Sequence, residues 1–127
     1  DIMFLGSLRR TEIHALSAFV DCCVIPSDHE TFGLPIAEAM SQGKPVISTN
    51  GGGVENLIDK SFGVVIKKDN QESLVNAMDL MIKKRDFSNE KIKQFAKDKF
   101  SSDVIKERWS NILSNFLLEK NNKTNNL

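Results

Sequence analysis

Two carboxylates frame one short stretch of the chain, "HETFGLPIAEAM" from His29 to Met40, and a helix that only had to bury an apolar face would need neither. The first backbone N–H groups of a helix have no internal partner, and together with the macrodipole they attract anions, phosphate above all. Gly33 lets backbone approach a ligand without a side chain in the way, and Pro35 removes a donor that the helix start would not use itself. The amides of Phe32, Gly33, Leu34 and Ile36 are therefore expected to face a phosphate or a sugar. A carboxylate beside a phosphate is repulsive unless it is aimed elsewhere. Sugar hydroxyls are a suitable target, because ionised glutamate only accepts hydrogen bonds and a vicinal diol donates two. Glu30 in the loop and Glu38 about one turn into the helix would then flank a phosphate held at the helix start. A diphosphate with a sugar at each end, which is a nucleotide sugar, satisfies all three groups. A plainer alternative fits the same spacing: Glu38 complements the helix dipole, and Glu30 is an ordinary loop residue.

The elements that must position these residues alternate between strand and helix. "DIMFL" at the start is a short apolar run closed by Gly6 and predicts a strand. "HALSAFV" from His14 predicts a helix, and "CCVIP" a second, buried strand closed by Pro26. The helix "LPIAEAMSQ" has Pro35 in its first turn and Gly43 after its end. "PVIST" predicts a third strand, "NGGG" a loop, "VENLI" a short helix and "FGVVIK" a fourth strand. Asp69 with Glu72 resembles a capping box for a helix with the apolar stripe Leu74, Ala77, Met78 and Met81.

Two further helices are expected, one carrying Ile92, Phe95, Ala96 and Phe100, the other Ile105, Trp109, Ile112, Leu113 and Phe116. Ser88 would cap the first and Ser101 or Ser102 the second. These methionine and aromatic positions read as core. Residues 1–118 form one domain in this reading, and the polar segment 119–127 a disordered tail. Its "NKT" sequon reads as a chance match. Apolar strands alternating with helices predict an α/β fold of Rossmann type, a parallel sheet covered on both faces, with ligands at the carboxyl ends of the strands. Three loops are placed for that role: "GSLRR", "SDHETFG" and "TNGGG".

Composition narrows the classes of function. Lys plus Arg and Asp plus Glu are 17 each among 127 residues, so no overall field draws the chain to nucleic acid or an anionic membrane. Adjacent Cys22 and Cys23 lie between apolar residues, which suits two small core residues in a reducing compartment and not a disulfide or metal motif. No apolar run approaches the ~18 residues of a membrane span, and the start lacks a signal-peptide pattern. The expectation is a soluble, unexported chain.

The segment "PSDHETFGLPIAEAMSQGKPVIST" resembles the signature of the retaining GT-B glycosyltransferases of the glycosyl transferases group 1 (family four) type. Pro26, Ser27, Glu30, Phe32, Gly33, Leu34, Pro35, Glu38, Ala39, Met40, Gly43, Pro45, Val46 and Ile47 match it, and a looser likeness runs from "FLG" to about Leu118. The resemblance implies the second half of a donor-binding domain. It implies that Glu38 bonds the ribose hydroxyls, and that Glu30 stands at the donor-sugar end near the reacting centre as the catalytic residue. Thr31, Phe32, Gly33 and Leu34 would contact the donor sugar and diphosphate, and the backbone of Leu8 would meet the base.

Further implications are a nucleoside diphosphate sugar as donor, no required metal, and an acceptor held by an N-terminal domain outside this chain. That domain would also decide any peripheral membrane association, and the expected location is the cytoplasm or the inner face of the membrane. The basic pair that neutralises the diphosphate in the family lies upstream of the matched part. Arg9 and Arg10 do not match that pair and read as solvated. The fragment alone is expected to be inactive, and since the final helix of the family often crosses back to the N-terminal domain, Trp109 or Phe116 is expected to expose apolar surface here.

Three rivals stay open: a glycosidase, whose two carboxylates would flank the scissile bond, a nucleotide-sugar epimerase, and a non-catalytic nucleotide- or protein-binding module of the same fold. "NGGGVE" lacks the spacing of a dinucleotide-binding loop, which argues against a dehydrogenase. His14 reads as a surface or packing residue. His29 could reach a sugar hydroxyl but is not assigned to the site.

Overall fold

The computed structural model describes residues 2–83 and 87–124, with side chains to 118. Its elements in chain order are α1 (Arg10–Phe19), β1 (Cys23–Ile25), α2 (Leu34–Ser41), β2 (Val46–Thr49), a single 3-10 turn (Val54–Asn56), β3 (Gly63–Ile66), α3 (Gln71–Lys83), α4 (Asn89–Phe100) and α5 (Ser102–Thr124). The chain divides into two compact units, residues 1–96 and 97–127. The first holds the sheet and every candidate site residue.

The sheet has three parallel strands in the order β1-β2-β3, in the register Val24↔Ile47↔Val64. β2 is buried at all four successive positions. Strand side chains alternate in direction, so burial at every position means that both faces of the central strand are covered. On one face Ile47 and Ile66 meet Ala77 and Met81 of α3, with Cys22, Val64, Leu74 and Phe87 packed at the margin. α2 packs against β1 and β2 and contributes Ile36 and Met40, both with no exposed surface. Burying each such side chain contributes about 1.5–3 kcal/mol. Phe62 and Phe95 add an edge-to-face pair with centroids 5.5 Å apart.

The α/β class with a parallel sheet is observed, and other expectations change in detail. Residues 2–5 form no strand, and Phe4 is 93% exposed. Apolarity alone does not make a strand, because its N–H and C=O groups need a ladder partner, and among the described residues β1 pairs only with β2. α1 begins at Arg10, ahead of the expected His14, because Glu12 Oε2 accepts from the Arg9 backbone N–H at 2.8 Å and so satisfies a donor at the helix start. α3 is capped by Asn70, whose Oδ1 accepts from Ser73 N at 2.8 Å, while Asp69 sits at φ 54, outside the helix. The serine caps are found at Ser88 and, of the two alternatives for the last helix, at Ser101.

Of the positions on α5 read as core, Ile105 is half-buried, whereas Ile112 and Leu113 are exposed, as are Trp109 at 60% and Phe116 at 63%, the two residues that the family resemblance expects to expose apolar surface. α5 continues as helix to Thr124, past residue 119 where a disordered tail was expected. The rest of that tail, 125–127, lies outside the described residues.

Candidate functional site

Local sequence fixes α2 tightly at both ends. It starts after Gly33, which holds φ 73 in the left-handed region that glycine tolerates best, and Pro35 occupies its first turn. It ends in a Schellman arrangement: Gly43 N donates to Met40 O at 2.9 Å and Lys44 N to Ala39 O at 3.1 Å. Gly43 also leaves no room for a side chain, since a Cβ there would lie 2.7 Å from Asn89 O.

Glu30 is held from within its own loop. Its Oε1 accepts from Gly33 N at 2.9 Å and from Phe32 N at a longer 3.4 Å. Two of the four amides expected to face a ligand are thus turned onto Glu30, because a carboxylate two or three residues upstream is the nearest strong acceptor for them. The amides of Leu34 and Ile36 precede the first intrahelical bond, Ala37 N to Gly33 O at 3.0 Å, so the helix itself gives them no partner.

The glycine loop after β2 presses directly on Glu30. A Cβ on Gly52 would lie 1.7 Å from Glu30 O, and Gly52 has φ 72. Only a residue without a side chain permits this backbone-to-backbone contact. Around it, Thr49 Oγ1 donates to Ser27 O, Ser48 Oγ donates to Ile25 O at 3.2 Å, and Lys68 Nζ pairs with Asp28 Oδ1 at 3.4 Å. Asn50 Oδ1 accepts from Lys68 N at 3.1 Å, tying the ends of β2 and β3 together. The carboxyl edges of all three strands therefore share one set of loops, the place that the fold class assigns to ligands.

Glu38 is held from another helix. Its Oε1 lies 2.8 Å from Arg10 Nη2, with the Glu38 side chain 26% exposed and that of Arg10 78% exposed. The neighbouring Arg9 goes elsewhere, to Glu12 at 2.9 Å, and this bond lowers the Glu12 pKa and raises that of Arg9. A second link joins the same helices, Gln42 Nε2 lying 3.0 Å and 3.2 Å from the two ring nitrogens of His14. Arg10 was expected to be merely solvated. It is exposed, yet it pairs with a candidate site residue.

Of the remaining expected site residues, Leu8 is half-buried, Gly33 is buried, and Thr31, Phe32 and Leu34 are exposed around the helix start. Phe32, Gly33 and Leu34 share the loop with Glu30, and Leu8 lies two residues before Arg10. His29 is exposed. Among the described residues no hydrogen bond or ion pair joins Glu30 to Glu38. Sequence reasoning missed Arg10, Gly52 and Lys68. The triple glycine was a signal for close backbone approach, whereas side-chain pairings between distant segments leave no mark in spacing.

The adjacent cysteines are free thiols, and burial pushes the pKa of both upward. Among the described residues no group of three or more His, Cys, Asp or Glu could hold a metal ion. A recess of about 470 Å³ beside β3 and α3 is lined by Ile66, Lys67, Asn70, Ser73, Asn76 and Leu80, and shares no residue with the loops of Glu30 and Glu38.

Comparison with known proteins bears on the same segment. The family described as "Glycosyl transferases group 1" matches residues 1–99. Sulfoquinovosyl transferase SQD2 of Arabidopsis thaliana is 41% identical over 56 residues, 44% of this chain and 11% of that protein. An uncharacterised glycosyltransferase of Methanocaldococcus jannaschii is 29% identical over 112 residues, 87% of this chain and 28% of that protein. Glycogen synthase of Mycobacterium tuberculosis is 42% identical over 62 residues, 48% of this chain and 15% of that protein. The chain thus spans less than a third of the length of each of these relatives. Among solved structures, sucrose-phosphate synthase from Thermosynechococcus elongatus, a GT-B glycosyltransferase, superposes with TM-score 0.78 at 21% identity, over 92% of this chain and 30% of that one. That likeness establishes the fold.

Proposed function

This chain belongs to the glycosyl transferases group 1 family, and from that premise we propose that it is the donor-binding part of a longer retaining glycosyltransferase. The enzyme transfers a sugar from a nucleoside diphosphate sugar to an acceptor hydroxyl. The observation that carries this reading is the placing of the two glutamates around the start of α2, Glu30 before it and Glu38 within it, each fixed by its own partner.

In this reading Glu38 receives the ribose hydroxyls, the backbone of Leu8 meets the base, and the loop from Thr31 to Leu34 lies along the diphosphate and the donor sugar. Glu30 orients the sugar and favours positive charge at its anomeric carbon. The bond from that carbon to the phosphate oxygen breaks while the bond to the acceptor oxygen forms on the same face. The acceptor proton passes to the leaving phosphate oxygen. Charge growing on the diphosphate is met by the α2 N-terminus without reorganisation.

The reading includes no metal cofactor and no nucleic-acid partner. It assigns the acceptor site and the basic pair to other parts of the full-length protein, so that this segment alone is inactive. Among the described residues no helix is long and apolar enough to cross a membrane; the proposed location is the cytoplasm or the inner membrane face, the latter through a peripheral contact of the acceptor domain. One observation favours a second reading, a non-catalytic binding module. The Glu30 carboxylate already caps its own loop, a role that needs no substrate.

A thermal-shift panel of the full-length protein with UDP, GDP, ADP and their sugar conjugates, run beside Glu38→Ala, tests the proposal. A ligand at ten times its dissociation constant stabilises by about 1.4 kcal/mol. The expected result is a shift with one nucleotide that disappears in the variant, together with sugar transfer that Glu30→Gln abolishes. Binding without transfer would favour the module, and no shift with any nucleotide would sink the donor-binding reading.

A further inference from the structure

We infer that Arg10 is a positioning residue for the nucleotide's ribose, acting through Glu38. This inference rests on the donor-binding reading above. The contact is one-sided: Arg10 Nη2 engages Oε1 of Glu38 at 2.8 Å. A carboxylate offers about four acceptor sites on two oxygens, so the second oxygen remains for hydroxyl donors. A glutamate with free torsions would have to be ordered when the ligand binds. One already pinned from the neighbouring helix loses less freedom at that step.

Three further features fit this role better than that of a casual surface pair. Arg9 takes Glu12, so the two adjacent arginines do not share an acid, and the Arg10 guanidinium is committed to Glu38. His14 and Gln42 link the same two helices a second time, at the far end of α2 from its start, which holds Arg10 in reach. Arg10 also follows Leu8 by two residues. A base and its ribose are covalent neighbours, so the segment that meets one is well placed to steer the group that meets the other.

The test compares a ribonucleoside diphosphate with its 2′-deoxy counterpart on the full-length protein, using whichever of UDP, GDP or ADP gives a shift. Dissociation constants are measured for the unaltered protein, Arg10→Gln, Arg10→Lys, Glu38→Gln and the Arg10→Gln/Glu38→Gln double variant. Arg10→Gln is expected to weaken the ribonucleotide about fivefold, the upper end for a solvent-screened ion pair, and to weaken the deoxynucleotide, which keeps only one of the two hydroxyls that Glu38 receives, by a smaller factor. The loss should vanish in the Glu38→Gln background, and Arg10→Lys should recover part of it. Equal weakening of both ligands would reduce Arg10 to a structural tie and overturn the inference, as would tighter ribonucleotide binding, the mark of a competitor. If instead Glu38→Gln leaves the ratio of the two ligands unchanged, the donor-binding reading of Glu38 falls, and the inference falls with it.

Discussion

The two glutamates of the candidate site are anchored in opposite ways. Glu30 is closed onto amides two and three residues ahead of it, so its loop is self-contained. Glu38 depends on a side chain from a helix that precedes it by a whole strand and loop. A carboxylate held by its own backbone is tied to local stability, and one held by a remote side chain is free to serve a ligand with little cost to the fold. The comparison therefore separates stability from binding at two residues of the same type.

The strongest way to break it is to disturb what Glu30 rests on. Gly52→Ala would place a Cβ 1.7 Å from Glu30 O at a positive φ, and should cost about 3 kcal/mol from the clash and the left-handed backbone together. Gly53→Ala is the control, because its Cβ would meet nothing within 4 Å and only the backbone penalty of about 1 kcal/mol remains. Denaturant midpoints on the full-length protein measure both.

Glu38→Ala should do the reverse, weakening nucleotide binding about tenfold or more through the loss of charge-assisted bonds, with a stability change below about 1 kcal/mol since its partner Arg10 lies in solvent. Calorimetric titration beside thermal melting separates the two effects. A large fall in stability here would erase the contrast with Glu30. Glu30→Ala removes the cap and should cost about 1 kcal/mol. Glu30→Gln keeps an acceptor for the Gly33 amide and should recover most of that stability while sugar transfer stays lost.

The smallest effect lies in the sheet. Burial raises the thiol pKa of Cys22 and Cys23 above the ordinary value of 9.0. The folded state then holds these protons more tightly than the unfolded chain. Their contribution is fully present below the ordinary thiol range and is lost as pH rises through the raised values. Melting temperature followed from pH 8 to pH 10, roughly the range across which thiols titrate, should fall less in Cys22→Ala/Cys23→Ala than in the unaltered chain, each measured against its own value at the lower pH.

Much of the fold was legible because its signals are local. The β2 segment reads as a continuous apolar run because both its faces are covered, and α2 announces its start with Gly33 and Pro35 and its end with Gly43. The first apolar run misled because a strand is a relation between two segments, and "DIMFL" carries no information about its partner. Asn70 displaced Asp69 as the α3 cap through a shift of one residue, within the ordinary uncertainty of helix ends. At the site, residue types and spacing pointed to Glu30, Gly33 and Glu38. The bonds that hold them were not visible, since Arg10 and Gly52 reach the glutamates only after α1 and the β2 loop have folded into place.

The sheet edge at β1 bears on how this segment behaves in a tube. Among the described residues β1 pairs on one side only, and its Val24 is 38% exposed. Unpaired strand edges with apolar neighbours are templates for pairing between molecules. For the segment on its own, association is the expected limit on the usable concentration. Crowding the sample to strengthen a weak binding signal would then bring turbidity first, so dilute samples and sensitive detection suit it best.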